Sequence, residues 1–189
     1  IHIQNNLYDY PQKHPRALLW LAEDALNRGK SQKAKSLVYP LVEEKNTHAL
    51  QIYGEASLYQ GDFEAGINAF FESGQKYSLL NAANRAQKTG RDEDALLSYR
   101  KAWAIDPEAT TWQFANFLYR FYGDNQLAIE ILRLALDEYP ESNGRISWLL
   151  MLGEIYLEIE SNCEAEIVFD EILQQQPNNL SALIGKGWV

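Results

Sequence analysis

Five small residues recur along the chain at a nearly constant spacing, and this recurrence constrains the fold more than any other feature. Neighbouring members lie between 29 and 37 residues apart: Ala34, Gly66, Ala95, Ala128 and Ala165. A bulky residue follows each by four positions: Val38, Phe70, Tyr99, Leu132 and Phe169. A small or short residue precedes each by twelve positions: Ala22, Gly54, Ala83, Asn116 and Gly153. A motif that returns at this period is typical of stacked repeat architectures.

The residues between these positions predict that each repeat is a pair of helices. From Leu79 to Ala102 the apolar residues fall on helical stripes that are interrupted at Gly90. Glycine closes a helix by taking the left-handed conformation, and Pro107 cannot continue one. Small residues let two antiparallel helices approach closely. Because one such pair cannot bury its apolar faces alone, neighbouring pairs are expected to stack.

These motifs resemble the tetratricopeptide repeat (TPR) family, whose units are helix-turn-helix pairs of about 34 residues. The best units are 76–107, 109–140 and 146–177; the second of them carries Trp112, Tyr119, Gly123, Ala128 and Pro140. The resemblance implies an all-α solenoid, a right-handed superhelix of stacked TPR-like repeats. Five repeats are expected over residues 15–177, in one solenoid domain.

Two repeats depart from the pattern. The unit that begins at Thr47 is about four residues short, and we expect its second helix to end early, at Ser73-Gly74. In the last unit, Glu160-Ser161-Asn162 replaces the turn glycine, and we expect a looser turn there.

Both ends of the sequence look like parts of further repeats. Asp9-Tyr10-Pro11 is similar to Glu138-Tyr139-Pro140, so residues 1–14 are interpreted as the tail of a preceding repeat. A disordered or extended arm is the alternative. Residues 178–189 are expected to begin a further repeat or to form a capping helix. The chain is accordingly interpreted as a fragment of a larger repeat protein.

Charge and composition restrict the partners. The net charge is −9, and residues 111–189 hold twelve acidic and four basic side chains. This excess disfavours nucleic acid and anionic membranes, whose phosphates attract Lys and Arg. The acidic residues form either a solvated face or a surface that steers a basic partner. No apolar run is long enough for membrane insertion, and the compartment stays undetermined.

Residues that could carry catalysis are not grouped in the sequence. The three histidines show no metal-ligand spacing, and Cys163 lies among acidic residues that oppose thiolate formation. We therefore expect no enzyme activity, no catalytic residues, no metal and no cofactor.

The TPR resemblance implies that the first helix of each repeat lines a concave groove that binds peptides. The selected groove candidates are Asn84, Lys88, Gln113, Phe117, Arg120, Phe121 and Glu154. Phe117 and Phe121 are four residues apart, which places them on one helix face beside Arg120. We expect a pocket there for an apolar anchor, with Arg120 holding a carboxylate or carbonyl. The alternative is that both rings pack against the neighbouring repeat and Arg120 pairs with a local acid.

The same inward stripe in the first two repeats is more polar. It carries Arg16, Leu19, Glu23, Asn27, His48, Gln51, Glu55 and Tyr59. Some TPR arrays clamp acidic chaperone tails with Lys, Arg and Asn, but Leu19 and Glu23 occupy positions where Lys and Asn would be needed.

Three functions are consistent with the sequence. The first is a non-catalytic scaffold that binds a peptide or partner helix, of basic or apolar character, in its groove. The second is a substrate-positioning or assembly module of a larger enzyme or of a cell-envelope polymer-synthesis protein. The third is a self-assembling structural solenoid, because the ends of a repeat array expose stacking faces.

Overall fold

The computed structural model describes residues 14–189, and in that range the protein is built from α-helices without strands. The helices are α1 (Pro15–Asn27), α2 (Ser31–Glu43), α3 (Thr47–Tyr59), α4 (Phe63–Glu72), α5 (Lys76–Lys88), α6 (Asp92–Ile105), α7 (Pro107–Phe117), α8 (Asn125–Glu138), α9 (Arg145–Glu158), α10 (Asn162–Gln175) and α11 (Leu180–Lys186). A π-helical segment, Leu118–Tyr122, continues α7. The predicted all-α, helix-turn-helix class is confirmed. Except for His14, the predicted tail at 1–14 lies outside the described residues.

The chain divides into two compact units, one ending at Ile105 and the other beginning at Asp106. In the first unit each helix packs against the next, and α1 also contacts α3 while α4 contacts α6. In the second unit α7 pairs with α8 and α9 with α10, and α9 contacts both α7 and α11. These contacts are those of stacked helical hairpins within each unit. The assignment of residues 15–177 to five repeats in one domain stays a prediction.

Each hairpin consists of a first helix and a second helix. The first helices are α1, α3 and α5 in the first unit and α7, α9 and α11 in the second, and the second helices are α2, α4, α6, α8 and α10. Several helices begin with an Asn or Asp whose side chain accepts a hydrogen bond from the backbone N–H three residues later, as Asn46 does from Ala49 at 3.0 Å. Such caps satisfy amide groups that have no partner inside the helix.

The turn inside the last hairpin closes as tightly as the glycine turns do. Gly90 has φ +68°, and the N–H of the next residue, Arg91, donates to the carbonyl of Ala86 at 2.9 Å. Glu160 adopts the same left-handed conformation, with φ +60°, and Ser161 N–H donates to the Tyr156 carbonyl at 2.8 Å. The expectation of a looser turn was therefore wrong: a non-glycine residue takes the same geometry at a cost of about 1 kcal/mol. The early end of the helix before Ser73-Gly74 is confirmed, since α4 ends at Glu72.

The three positions of the sequence motif meet in one packing contact. Phe70 follows the small residue Gly66 by four positions, and its ring lies against Gly54, where an added Cβ would be 2.5 Å from the ring. Phe169 lies against Gly153 in the same way, at 2.6 Å. Both rings are almost completely buried. In these two repeats the ring of the second helix occupies the space that a side chain on the first helix would fill, which accounts there for the twelve- and four-residue spacings.

Replacing Gly153 by alanine tests this packing. Alanine favours a helix interior over glycine by about 1 kcal/mol, whereas overpacking a core costs about 1–3 kcal/mol. Because the obstructing atoms belong to the buried Phe169 ring, we expect Gly153→Ala to lower the free energy of unfolding by about 1–2 kcal/mol in urea denaturation. Ser147→Ala, at an exposed position of the same helix, is the control and should be neutral or slightly stabilising. Equal stability of the two variants would contradict the packing argument.

Candidate binding surface on the first helices

The structure places most of the sequence-derived candidates on exposed parts of the first helices. Asn84 and Lys88 are exposed on α5, and Arg120, Phe121 and Glu154 are exposed in the second unit. The side-chain oxygen of Asn84 accepts a hydrogen bond from the Tyr99 hydroxyl at 2.9 Å, which fixes its orientation. That leaves the Asn84 amide NH₂ as the donor it can offer to a ligand.

Gln113 and Phe117 are not exposed surface residues. Gln113 is half-buried, and its side-chain oxygen is buried without a hydrogen-bond donor in the described structure. Phe117 is 1% exposed, and its ring lies 5.7 Å from that of Tyr122, between centroids. A ligand on the surface therefore cannot reach the Phe117 ring, so its proposed contact with a ligand is corrected.

The π-helical segment explains why the two phenylalanines do not share a face. A π-helix pairs residue i with i+5, so the side chains within and after the segment are rotated relative to those of an uninterrupted α-helix. Phe121 is 58% exposed while Phe117 is buried. The segment ends at Gly123, with φ +81°, and the Leu118 carbonyl accepts from the N–H groups of both Gly123 and Asp124. The two rings therefore do not form a shared exposed surface, because the expectation assumed uninterrupted α-helical spacing.

The residues between those rings make a polar ladder to α9, which consists of Tyr119, Arg120, Glu154 and Glu158. Arg120 donates to a carboxylate oxygen of Glu154 at 2.8 Å, and the Tyr119 hydroxyl donates to Glu158 at 2.7 Å. The Arg120 guanidinium also lies 5.0 Å from the centroid of the Tyr119 ring. Arg120 and Glu154 are about half exposed, at 51% and 49%, so this ion pair contributes at most about 1 kcal/mol. The sequence analysis gave pairing of Arg120 with a local acid as the alternative. The acid is Glu154, which lies on α9, the first helix of the following hairpin.

The environment of Tyr119 raises its pKa to about 12. Burial is the largest cause, followed by the hydrogen bond to Glu158 and the charge of that carboxylate, while Arg120 acts in the opposite direction. Tyr119 therefore remains a hydrogen-bond donor in the folded protein at pH values where an ordinary tyrosine is ionised.

The first unit holds a cavity between two neighbouring first helices, here called the α1–α3 pocket. Its volume is about 430 Å³, within the range of about 300–1,000 Å³ that is usual for ligand sites. Its lining residues are Glu23, Leu26, Asn27, His48, Gln51, Ile52 and Glu55. The lining thus combines two aliphatic side chains with carboxylates, side-chain amides and an imidazole. This combination suits a ligand side chain that has an apolar stem and a polar end.

Polar contacts hold the sides of this pocket. The His48 ring nitrogen Nε2 lies 2.7 Å from Oε1 of Glu23 and links α3 to α1. Glu55 lies 3.6 Å from the Arg85 guanidinium of α5, and that guanidinium lies over the Tyr59 ring. The side chains of Glu23 and Glu55 are 44% and 38% exposed, so a ligand in the pocket can reach both.

The second unit has an apolar cavity of about 250 Å³ in the corresponding place, between α9 and α11, here called the α9–α11 cavity. Its lining residues are Leu150, Glu154, Leu157, Phe169, Ser181, Ile184, Gly185 and Trp188. Glu154 therefore belongs both to this cavity and to the polar ladder. The cavity of the first unit thus has more polar and charged lining residues than the mainly apolar cavity of the second.

Five of the seven α1–α3 pocket residues lie on the inward stripe predicted from the sequence, but none of them was selected as a site residue. The selection favoured aromatic and arginine side chains, which dominate many protein interfaces. The signal that could have identified the pocket is that polar residues occupy the inward stripe in two consecutive repeats. They are Glu23 and Asn27 in the first repeat and His48, Gln51 and Glu55 in the second. Two aliphatic residues of the lining lie beside that stripe and were missed.

Residues 14–189 contain neither a metal-binding cluster nor a membrane-spanning helix. No three His, Cys, Asp or Glu side chains in this range are grouped so that they could hold a metal ion. No helix in the same range combines the length and the apolar composition that a membrane crossing needs.

The fold defines a class: each unit stacks helical hairpins as TPR proteins do, and the resemblance seen in the sequence is confirmed. No protein-family model and no curated protein matches the sequence. Solved structures do match: YrrB, described as a TPR protein with an unusual peptide-binding site, is 14% identical, with a TM-score of 0.54. The match covers 97% of this chain and 96% of YrrB. Because only 14% of the residues are identical, this similarity supports a shared fold only.

Other TPR structures are similar at lower scores. TTC0263, a thermophilic TPR protein from Thermus thermophilus, is 18% identical, with a TM-score of 0.44, over 92% of this chain and 97% of its own. A tetratricopeptide repeat protein from Parabacteroides merdae is 14% identical, with a TM-score of 0.47, over 90% of this chain and 70% of its own.

The raised pKa of Tyr119 predicts a stability effect at alkaline pH. Because the folded-state pKa of about 12 lies above the ordinary value of 10.0, the native state keeps this proton longer than the unfolded chain. The resulting stabilisation is present below pH 10 and is lost as the pH rises towards 12. We expect the denaturation midpoint of the wild type to fall relative to that of Tyr119→Phe between pH 10 and 12.

Urea denaturation at several pH values measures this difference, with Tyr77→Phe, an exposed tyrosine of α5, as the matched control. Tyrosinate absorbance of Glu158→Gln should also show the pKa of Tyr119 shifted downwards, because one cause of the raised value is the Glu158 charge. A constant difference between the wild type and Tyr119→Phe over this range would contradict the assignment.

Proposed function

We propose that the protein is a non-catalytic scaffold that binds a segment of another protein along the exposed side of its first helices. The observation that carries the proposal is the α1–α3 pocket, a cavity of ligand-binding size between two first helices. Its amide side chains, Asn27 and Gln51, can each donate and accept, as a bound peptide backbone requires. The aliphatic side chains of Leu26 and Ile52 supply the apolar part of such a site.

The second unit supports the same proposal with a different chemistry. Its α9–α11 cavity is mainly apolar and lies beside the half-exposed Glu154. A segment that contacts either cavity would meet a few placed polar groups around apolar side chains, which is the usual composition of a binding site. Phe121 and Trp188 are large exposed aromatic residues in this unit, and such residues are common among energetically important interface contacts.

The similar structure of YrrB adds support because its description includes a peptide-binding site. The fold provides the same kind of helical surface in both proteins, whereas most residues differ at 14% identity. Fold likeness alone does not determine function, so the proposal rests mainly on the cavity.

Selection from a random peptide library, displayed on phage and panned against the full chain, tests the proposal. Selected peptides are synthesised with a fluorescent label, and their affinities are measured by anisotropy. We expect Gln51→Ala to weaken pocket-binding peptides about three- to tenfold, as the loss of a hydrogen bond of about 0.5–1.5 kcal/mol implies. Peptides that use the second unit should instead be weakened by Glu154→Ala.

Asn68→Ala, at an exposed position of the second helix α4, is the control and should bind like the wild type. The proposal is overturned if no peptide is enriched, or if every enriched peptide binds Gln51→Ala, Glu154→Ala and Asn68→Ala with the same affinity as the wild type. Circular dichroism of each variant shows that helicity is retained.

A further inference from the structure

We infer that the segment bound in the α1–α3 pocket carries a cationic side chain, arginine or lysine, whose charged head lies between Glu23 and Glu55. This inference rests on the proposed function and specifies the partner of the same site. Three properties of the pocket support it: the charges of its lining, the bonds that those charged groups already make, and the apolar side chains beside them.

The strongly acidic side chains of the lining are not matched by strongly basic ones. Glu23 comes from α1 and Glu55 from α3, and the pocket lining contains neither Lys nor Arg. A bound carboxylate would lie beside two carboxylates with no Lys or Arg in the lining to offset their repulsion. A cation is attracted by both carboxylates, and the attraction strengthens as the bound segment displaces water from between the charges.

The existing partners of the two carboxylates leave them able to accept further hydrogen bonds. The contact of Glu23 with His48 uses Oε1, and an ionised carboxylate can accept about four hydrogen bonds. The Arg85–Glu55 separation of 3.6 Å exceeds the usual range of about 2.7–3.2 Å for a direct N–H···O bond. Arg85 therefore lowers the negative potential at Glu55 without occupying its hydrogen-bonding positions.

The remaining lining fits the uncharged parts of such a residue. Arginine and lysine carry three or four methylene groups that pack on apolar surface while the charged head stays near water. Leu26 and Ile52 provide that surface, and Asn27 and Gln51 are placed to bond the backbone of the same segment. An arginine guanidinium has the further advantage of five donors in a plane, which suits two carboxylates approached from different helices.

An NMR titration of the full, isotope-labelled chain tests the inference with small blocked amino acids. The probe is N-acetyl-arginine methylamide, compared with the matching norleucine and glutamate derivatives. We expect saturable backbone amide shifts within residues 23–27 and 48–55 for arginine, weaker binding of norleucine, and no saturable shift for glutamate. Added salt should weaken the arginine binding, because both carboxylates are partly exposed.

Glu55→Gln and Glu23→Gln are the test variants, each keeping the size of the side chain. We expect either substitution to weaken arginine binding about three- to tenfold, since a charge-assisted hydrogen bond becomes a neutral one. Glu72→Gln, an exposed glutamate at the end of the second helix α4, is the matched control and should leave the titration unchanged. The inference is overturned if norleucine binds as tightly as arginine, if arginine gives no saturable shift, or if neither pocket variant weakens its binding.

The peptide selection separates failure of this inference from failure of the proposed function. One outcome is that the selected peptides depend on Gln51 but contain neither arginine nor lysine, and that the arginine titration is negative. This outcome would support the scaffold function and contradict the inference of a cationic ligand. Absence of any enriched peptide would remove the function itself.

Discussion

A close contact between an aromatic ring on a second helix and a glycine on the preceding first helix sets the helix spacing of one hairpin in each unit. Phe70 packs on Gly54 in the first unit, and Phe169 packs on Gly153 in the second. With no side chain on the glycine, the two helices of a hairpin can lie close together along one face. Another face of the first helix is left exposed, and the α1–α3 pocket forms between two such helices. Fixed packing positions and variable surface positions thus occupy different sides of the same helix.

Much of the fold could be predicted from the sequence because its determinants are local and periodic. Helix pairs follow from apolar stripes, and their ends follow from residues such as Gly90 and Pro107, whose backbone preferences are distinctive. The turn at Glu160 was not foreseen, because the preference for glycine is a matter of about 1 kcal/mol and a closing hydrogen bond can offset it. The hydrogen bond from Ser161 to Tyr156 supplies that closure.

The candidate site was harder to predict, for two physical reasons. The π-helical segment changes the register of side chains after Phe117, and nothing in the spacing of Phe117 and Phe121 signals a wider turn. Within this segment, Arg120 and Tyr119 bond to residues of α9 that lie 34 and 39 positions further along the sequence. The α1–α3 pocket likewise needs two helices at a definite separation. Its polar residues were on the predicted stripe, but their joint cavity exists only after the helices are packed.

The ring of Phe169 has a second neighbour, since it also lies against Gly185 of α11. One side chain therefore lies between glycines of two successive first helices and acts as a spacer whose thickness sets the step from α9 to α11. Neither helix can move towards the other unless this buried ring is displaced. Phe169 also belongs to the lining of the α9–α11 cavity. A ligand in that cavity would therefore contact the same ring that separates α9 from α11.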